Sequence, residues 1–277
     1  MEQHTALARV LAPHFPLHNA RLAFVARFVL ALLKVSTVNL ARIATALNGT
    51  VARESNERRC ARFLSGFDLP QELIPRCVLA VLPTDKLVLS LDRTEHYFGA
   101  ISVNVLTLGV AYQGIAFPLV WTCLGKTGNS NTAERIALMQ RALKLVSPGQ
   151  VLALTADREF VGIEWFAFLK TQGIPFVIRI RCNTLVRYRQ ATAPAALWFN
   201  RFAHGDTGQL KKREQPVRCC LVSKKPCWVM GQRVHLIAQK LAGNEWLLLA
   251  ASHKPAHALC TYAQRWEIEM VFPQMTN

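Results

Sequence analysis

Two stretches decide the fold of most of this chain: KLVLSLDRTE at residues 86–95 and VLALTADRE at residues 151–159. Each begins with an apolar run of strand length and reaches an aspartate, Asp92 in the first and Asp157 in the second. Buried strands that lie next to each other bring their ends together, so we expect the two aspartates to be neighbours. The stretches therefore predict a sheet that carries a pair of carboxylates at its strand ends.

The residues around these two stretches alternate between β-rich runs and helical periodicity. Three strands, a helix, a strand, a helix and a strand follow one another, which predicts a mixed α/β fold. Gly-Asn-Ser-Asn at 128–131 supplies the cap of the first of these helices. The predicted strands are 86–91, 100–111, 115–124, 151–155, 175–181 and 246–252, and the predicted helices are 132–145, 163–170 and one from about His257.

Residues 1 to about 85 read as helical throughout. Apolar residues of 22–33 recur at spacings of three and four, and a second helix begins near Thr37 or Asn39. A third helix starts near Ser55 and carries Arg58, Arg59 and Arg62 at helical spacing. Short helices joined by tight turns suit a helix-turn-helix-like DNA-binding domain, and the alternative is a small bundle with a solvated basic face.

Residues 182–245 interrupt the α/β pattern. Strand-like pieces at 215–223 and 233–239 lie among basic patches, which predicts a β-rich insertion. The predicted organisation is a helical domain at 1–85, a candidate for DNA binding, and an α/β domain at 86–277, whose core (86–181 and 246–277) is interrupted by that insertion. The basic residues of the insertion are Arg187, Arg189, Lys211, Lys212, Arg213, Lys224 and Lys225.

The charge of the chain is strongly basic. Its 277 residues include 33 Lys and Arg against 17 Asp and Glu, which gives a net charge of +16 and an isoelectric point near 10. Half of the residues are apolar, so the chain is globular rather than disordered. The excess of positive charge favours a partner with a phosphate backbone over a small-molecule substrate. The alternative is a basic protein with no nucleic-acid partner.

Neither the cysteines nor the apolar segments predict secretion or membrane insertion. The eight cysteines include no CxxC pair, and we expect them to be reduced thiols of a cytosolic protein. The first residues lack the clean apolar core of a cleavable signal peptide. No run of about eighteen apolar residues occurs, so no membrane span is expected.

A third carboxylate lies close to the end of the sequence. In a helical reading of the last segment, Tyr262, Arg265 and Glu269 fall on one face, while Glu267 points about 160° away from Glu269. Three convergent carboxylates can hold divalent metal for phosphoryl transfer, and the arginine can orient the glutamate or bind a phosphate. The alternatives are a surface ion pair or turn cap at each aspartate and a solvated helix face.

Four phrases in order resemble the DDE transposases of the insertion-sequence-4 group of bacterial mobile elements. They are Leu-Asp-Arg-Thr-Glu-His-Tyr-Phe-Gly at 91–99, Gly-Lys-Thr-Gly-Asn-Ser-Asn-Thr-Ala-Glu-Arg at 125–135, Ala-Asp-Arg-Glu-Phe-Val-Gly at 156–162 and Tyr-Ala-Gln-Arg-Trp-Glu-Ile-Glu at 262–269. The last matches most of the group's Tyr-Arg-Glu-Lys signature. The resemblance implies an RNase H-like catalytic core with a β-rich insertion between the second aspartate and the glutamate.

The resemblance also implies an activity and its residues. It implies cleavage at the ends of the element, followed by attack of a 3′-hydroxyl on target DNA, with two Mg²⁺ or Mn²⁺ ions held by Asp92, Asp157 and Glu269. Double-stranded DNA is the implied partner, bound by a homodimer in a synaptic complex, and the implied location is the cytoplasm in association with the nucleoid. The expected DNA contacts are Tyr262, Arg265, Lys126, Arg158, Arg58, Arg59 and Arg62.

The sequence departs from the group's pattern after Phe272. The expected lysine seven residues beyond Glu269 is replaced by Thr276, and Pro273 lies between them. Because proline interrupts a helix, the expectation is a truncated or frameshifted copy. The alternative functions are a catalytically inactive DNA-binding remnant that acts at most as an inhibitor of transposition, and a general RNase H-like nuclease.

Overall fold

The computed structural model describes residues 3–47, 51–67, 72–202, 220–222, 225–241, 245–253 and 257–269. The chain divides into two units, of which the first includes the residues up to Pro83 and the second spans Thr84–Glu269. This division lies two residues before the predicted start of the catalytic domain. The three-part organisation with an insertion stays a prediction.

The first unit consists of helices packed on an aromatic core. Of the two caps predicted for the second helix, Thr37 and Asn39, the structure selects Asn39, which caps the third helix of the chain: its side chain accepts a hydrogen bond from the backbone N–H of Arg42 at 3.2 Å. The rings of Phe24, Phe28 and Phe63 lie 4.9 to 6.1 Å apart and fill the space between the helices. The helices are α1 (Gln3–Leu11), α2 (Asn19–Val35), α3 (Leu40–Ala46), α4 (Arg53–Gly66) and α5 (Leu73–Val81).

The second unit is built on a mixed β-sheet. The first three strands form an antiparallel meander, and the fourth and fifth strands add to it in parallel, giving the strand order 3-2-1-4-5. This is the RNase H-like arrangement that the sequence predicts. The strands are β1 (Leu87–Phe98), β2 (Ile101–Tyr112), β3 (Ile115–Leu124), β4 (Val151–Ala156) and β5 (Phe176–Ile180).

The sheet continues beyond β5 through strands that come later in the chain. Strands 11 and 10 follow β5 in antiparallel pairing, and strands 9, 6 and 7 extend the sheet from there, while strand 8 pairs with strand 10. The described part of the insertion thus shares the main sheet. The strands are β6 (Leu185–Tyr188), β7 (Ala191–Pro194), β8 (Cys220–Val222), β9 (Cys227–Val229), β10 (Gln232–Lys240) and β11 (Trp246–Ala251).

Helices pack against the sheet and position its loops. The side chain of Asn131 accepts a hydrogen bond from the backbone N–H of Glu134 at the start of the helix after β3, and the Glu134 carboxylate accepts one from the backbone N–H of Asn131. The predicted cap is therefore present. This helix ends at Ala142, three residues earlier than expected. The helices are α6 (Thr132–Ala142), α7 (Ile163–Thr171), α8 (Ala195–Phe202), α9 (Ala258–Ala263) and α10 (Trp266–Glu269).

Two elements differ from the sequence predictions, and some predicted residues are not among those described. The insertion includes a helix, α8, that its composition did not indicate. The final helix is two short helices, because a turn at Gln264 and Arg265 separates α9 from α10. The predicted basic residues Lys211, Lys212, Arg213 and Lys224 lie outside the described residues.

The structure describes six of the cysteine side chains and several apolar helices. The cysteines whose side chains are described are all free, namely Cys60, Cys77, Cys123, Cys182, Cys227 and Cys260. Within the described ranges no individual helix has the length and apolar composition of a membrane span, although α2 and α3, bent by 108° relative to each other, meet the criteria as a pair.

Candidate active site

The pairing of β1 with β4 brings the two aspartates together. The parallel register joins Leu91 to Ala156, and Asp92 and Asp157 are the next residue of each chain segment. One prediction was wrong here: β1 does not end at Leu91. It continues to Phe98, because its second half keeps its antiparallel pairing with β2 after the pairing with β4 has ended.

Asp92 is a largely buried carboxylate, with 16% of its side chain exposed. Its Oδ1 accepts a hydrogen bond from the backbone N–H of Arg93 at 2.8 Å. Burial raises the pKa of Asp92 to about 6, a shift that Arg265 opposes and that the carboxylates of Glu269 and Glu159 reinforce. The site therefore places negative charge where water does little to stabilise it.

Asp157 presents an oxygen without a hydrogen-bond donor. Its Oδ1 is buried and accepts no hydrogen bond, and the nearest cation is Nη1 of Arg179 at 3.7 Å. Arg179 lies on β5, the strand next to β4. A buried carboxylate oxygen that lacks a donor is a ready ligand for a hard cation.

Arg265 links Glu269 to Asp92 by contacting both carboxylates. Nη1 of Arg265 lies 2.8 Å from Oε1 of Glu269 and 3.8 Å from Oδ2 of Asp92, and its side chain is only 3% exposed. Asp157 also acts electrostatically on this guanidinium. The hydroxyl of Ser90 on β1 donates to the backbone carbonyl of Arg265 at 3.4 Å, which fixes the turn between α9 and α10 to the strand of Asp92. One buried guanidinium therefore contacts two of the predicted carboxylates, Asp92 and Glu269, and interacts electrostatically with the third, Asp157.

Two aromatic residues enclose Arg265. Its guanidinium carbon lies 4.3 Å from the ring centre of Trp266 and 5.7 Å from that of Tyr262. Tyr262 is buried in the cluster of β4, β5, β10 and β11 side chains that holds α9 on the sheet. Burial raises the pKa of its hydroxyl to about 12, so the phenol stays protonated.

Glu267 faces away from the site, as its angular separation from Glu269 predicts. Its carboxylate lies near the turn between β2 and β3, where the backbone N–H groups of Gly114 and Tyr112 favour its charged form. Burial raises the pKa of Glu267. Its position excludes it from the carboxylate group around Arg265.

Sequence reasoning missed Arg93, which joins the two aspartate-bearing segments. Its Nε and Nη2 donate to the two oxygens of Glu159 at 3.3 and 3.5 Å, and its Nη1 donates to Glu95 and Asn104 at 3.2 and 3.3 Å. The dipeptide Asp-Arg occurs at both 92–93 and 157–158, and this repeat was the one sequence signal that pointed to Arg93. The partners themselves lie up to 66 residues apart in the chain, and no local pattern announces them.

The predicted DNA contacts occupy different environments. Lys126 forms an ion pair with Glu134 at 2.9 Å, and Arg158 is exposed beside Asp157. Tyr262 and Arg265 are 3% and 2% exposed, so neither offers its side chain to a free surface in this arrangement. In the helical unit, Arg58, Arg59 and Arg62 are exposed along α4, and Arg59 also lies 4.5 Å over the ring of Phe24.

The donors around Arg265 fit a divalent metal in kind. Three carboxylates, one with a buried oxygen that accepts no hydrogen bond from the described residues, are the hard ligands that Mg²⁺ and Mn²⁺ prefer. Among the described residues, however, no three His, Cys, Asp or Glu side chains lie close enough together to share one ion. The guanidinium of Arg265 supplies the positive charge between Asp92 and Glu269 instead.

Comparison with protein families identifies one match. The family model described as the transposase DDE domain matches residues 113–277, which is more than half of the chain. The matched region contains Asp157 and Glu269 and begins after Asp92. No match was found among curated protein sequences.

Solved structures with a similar course of the chain include three integrase or transposase structures. The integrase catalytic core domain of HTLV-2 in complex with magnesium is 16% identical over 35% of this chain and 62% of that one, with a TM-score of 0.28. The piggyBac transposase synaptic complex with hairpin DNA is 12% identical over 98% and 58%, with a TM-score of 0.43. The simian T-cell lymphotropic virus intasome in complex with a PP2A regulatory subunit is 8% identical over 62% and 80%, with a TM-score of 0.30. The chain thus spans less than two thirds of the first two.

Proposed function

The chain belongs to the transposase DDE domain family, and from this premise we propose that it is a transposase that cleaves and joins DNA at the ends of an insertion sequence. The observation that carries the proposal is the buried guanidinium of Arg265, which contacts both Asp92 and Glu269, together with the strand register that brings Asp157 next to Asp92. The phrase at 262–269 supports assignment to the insertion-sequence-4 group of bacterial elements.

The proposed ligands of two Mg²⁺ or Mn²⁺ ions are Asp92, Asp157 and Glu269. Such ions, when bound, stabilise charge on the attacking and leaving oxygens of a phosphodiester. Arg265 holds the carboxylate of Glu269 in place through its 2.8 Å contact, and its second contact keeps it beside Asp92. Arg93 and Glu159 hold the loop that carries Asp157 against the strand that carries Asp92.

Double-stranded DNA, as element ends and as target, is the proposed partner. The net charge of +16 and the exposed arginines of α4, namely Arg58, Arg59 and Arg62, support it. Arg158 and Lys126 are proposed to contact phosphates near the carboxylates, and Tyr262 and Arg265 to do so after rearrangement of the turn between α9 and α10. A homodimer is the proposed active form, and the cytoplasm, in association with the nucleoid, is the proposed location.

The test is cleavage of the cognate element ends in Mg²⁺. We expect Asp92→Ala, Asp157→Ala and Glu269→Ala each to abolish nicking while DNA binding in a gel shift is retained. Glu267→Gln is the matched control, because this carboxylate lies two residues from Glu269 and faces away from the site. Full nicking by any of the three alanine variants would remove that residue from the catalytic set.

A second candidate is a DNA-binding protein that does not cleave. One observation favours it: Arg265 stands between Asp92 and Glu269, and no three potential ligands in the described ranges surround a single point. This candidate predicts a gel shift with element ends and no nicking in either Mg²⁺ or Mn²⁺. Nicking by the wild-type chain that is lost in Asp157→Ala would eliminate it.

A further inference from the structure

On the second unit, away from the carboxylates, four basic side chains lie where α7 and β10 approach the end of β11. Lys170 lies near the end of α7, Arg233 and His235 lie on β10, and His253 follows β11. Arg233 and His235 are two residues apart and therefore lie on the same face of their strand. His235 is paired with Ala251, two residues before His253.

Hydrogen bonds hold two of these side chains at the end of β11. Nζ of Lys170 donates to the backbone carbonyl of Ser252 at 3.2 Å, and Oγ of Ser252 lies 3.5 Å from Nδ1 of His253. Oγ of Ser252 also accepts from the backbone N–H of Phe176 at 2.9 Å, so the cluster is anchored to the sheet. The position of Lys170 is thus set by a backbone carbonyl, and that of His253 by the side chain of Ser252.

Three pairs within the cluster interact as like charges, namely Arg233 with Lys170, His235 with His253 and Lys170 with His253. Burial lowers the pKa of Lys170, and Arg233 lowers it further. Burial also lowers the pKa of His253, with further contributions from His235 and Lys170. In the part of the chain that the structure describes, none of the four forms a salt bridge with a carboxylate. An anion at this place would therefore meet basic groups that no described carboxylate neutralises.

The cluster is separate from the carboxylate group. Ser252 is bonded to Phe176, the first residue of β5, while Asp157 lies beside Arg179 near the end of the same strand. Three strand positions, or about 10 Å along the strand, separate the two levels. A duplex bound at the carboxylates and a phosphate bound at the cluster would therefore use different parts of the surface.

We propose that Lys170, Arg233, His235 and His253 form a second binding site for the phosphate backbone of double-stranded DNA. The proposal rests on the proposed function, because it takes its anion from the DNA on which a transposase acts. Arg233 is exposed and offers a planar, two-pronged donor to a phosphate, and Lys170 contributes a fixed point charge. The two histidines add donors to neighbouring phosphate oxygens.

The test measures how the affinity for a duplex of unrelated sequence depends on salt, by fluorescence anisotropy. The variant is Lys170→Gln combined with Arg233→Gln. Its matched control is Lys86→Gln combined with Lys144→Gln, since Lys86 also donates to a backbone carbonyl, that of Gly149 at 2.8 Å, and Lys144 is exposed as Arg233 is. Both pairs remove two positive charges.

We expect the variant to bind about tenfold more weakly at 0.1 M salt and to reduce the slope of log affinity against log salt by about 1.8, the value for two lost phosphate contacts. The control should keep the wild-type slope. An unchanged slope in the variant, or an equal reduction in both pairs, would overturn the proposal. If the first variant loses its folded circular dichroism spectrum, Arg233→Gln combined with His253→Gln tests the same site at two exposed positions.

A different measurement, the nicking of element ends, tests the proposed function. Wild-type nicking of element ends together with an unchanged slope in the variants would refute the second site alone. Absence of both nicking and DNA binding in the wild-type chain would refute the proposed function, and the second site with it.

Discussion

Asp92 and Asp157 stand side by side because each directly follows one member of the pair Leu91 and Ala156, at which the parallel pairing of β1 and β4 ends. Neighbouring strands in a sheet lie about 4.8 Å apart, so this register by itself places the two carboxylates within reach of a shared cation. The third carboxylate, Glu269, is brought to them by Arg265. The register and the arginine together define the site.

Arg265→Gln should destabilise the protein in metal-free buffer. The guanidinium is buried and paired with Glu269 and Asp92, so its loss leaves two carboxylates with reduced compensation. We expect the free energy of unfolding to fall by about 3 kcal/mol. Thermal unfolding in EDTA measures this, and Mg²⁺ should restore more stability to the variant than to the wild type. An equal response to Mg²⁺ in both proteins would show that Arg265 and the metal do not share these carboxylates.

Glu159→Gln should reduce nicking at least tenfold and leave the gel shift with element ends almost unchanged. Glu159 accepts two hydrogen bonds from Arg93 and so holds the Asp157 loop against β1. A displaced ligand of this kind lowers the rate while the DNA-binding surface persists. Glu164→Gln, which changes an exposed glutamate at the start of α7, is the control and should nick as the wild type does.

Asp92→Asn should stabilise the folded protein at pH 8 in the absence of metal. The pKa of Asp92 is raised from 3.8 to about 6, so the folded state binds this proton more tightly than the unfolded chain does. The stability that the proton confers is fully present below about pH 4 and is lost as the pH rises through about 6.

The asparagine variant lacks this loss. We expect it to be more stable than the wild type by about 2 kcal/mol at pH 8, a value reduced for the solvent that reaches the side chain, and to show a flatter dependence of Tm on pH between 4 and 7. Parallel Tm curves for the two proteins over this range would contradict the prediction.

Cys227 should resist alkylation in the native protein. It is 2% exposed, and burial raises the pKa of its thiol to about 12, so it carries almost no thiolate at pH 8. Iodoacetamide followed by peptide mass spectrometry should label Cys123, Cys182 and Cys260, which are exposed, within the time in which Cys227 remains unmodified. Labelling of Cys227 should appear only on unfolding, and equal native labelling of all four would refute the prediction.

Much of the fold follows from local sequence patterns, such as apolar runs and capping residues. The apolar runs before Asp92 and Asp157 predicted the strands that became β1 and β4, and Gly-Asn-Ser-Asn at 128–131 predicted the cap of α6. The patterns failed where pairing overrides them. β1 runs seven residues past Leu91 because β2 continues to pair with it, and the last helix breaks at Arg265, where the turn bonds to Ser90 on β1.

By itself the sequence determined most strands and helices outside the insertion, the candidate carboxylates and the family, because these depend on residue identity and short spacings. Only the tertiary structure decided which groups meet. Arg93 and Glu159 lie 66 residues apart, Ser90 and Arg265 lie 175 apart, and Lys170 reaches Ser252 across 82 residues. Contacts of that separation are set by strand order and register, which the packing of the whole sheet selects and no local spacing encodes.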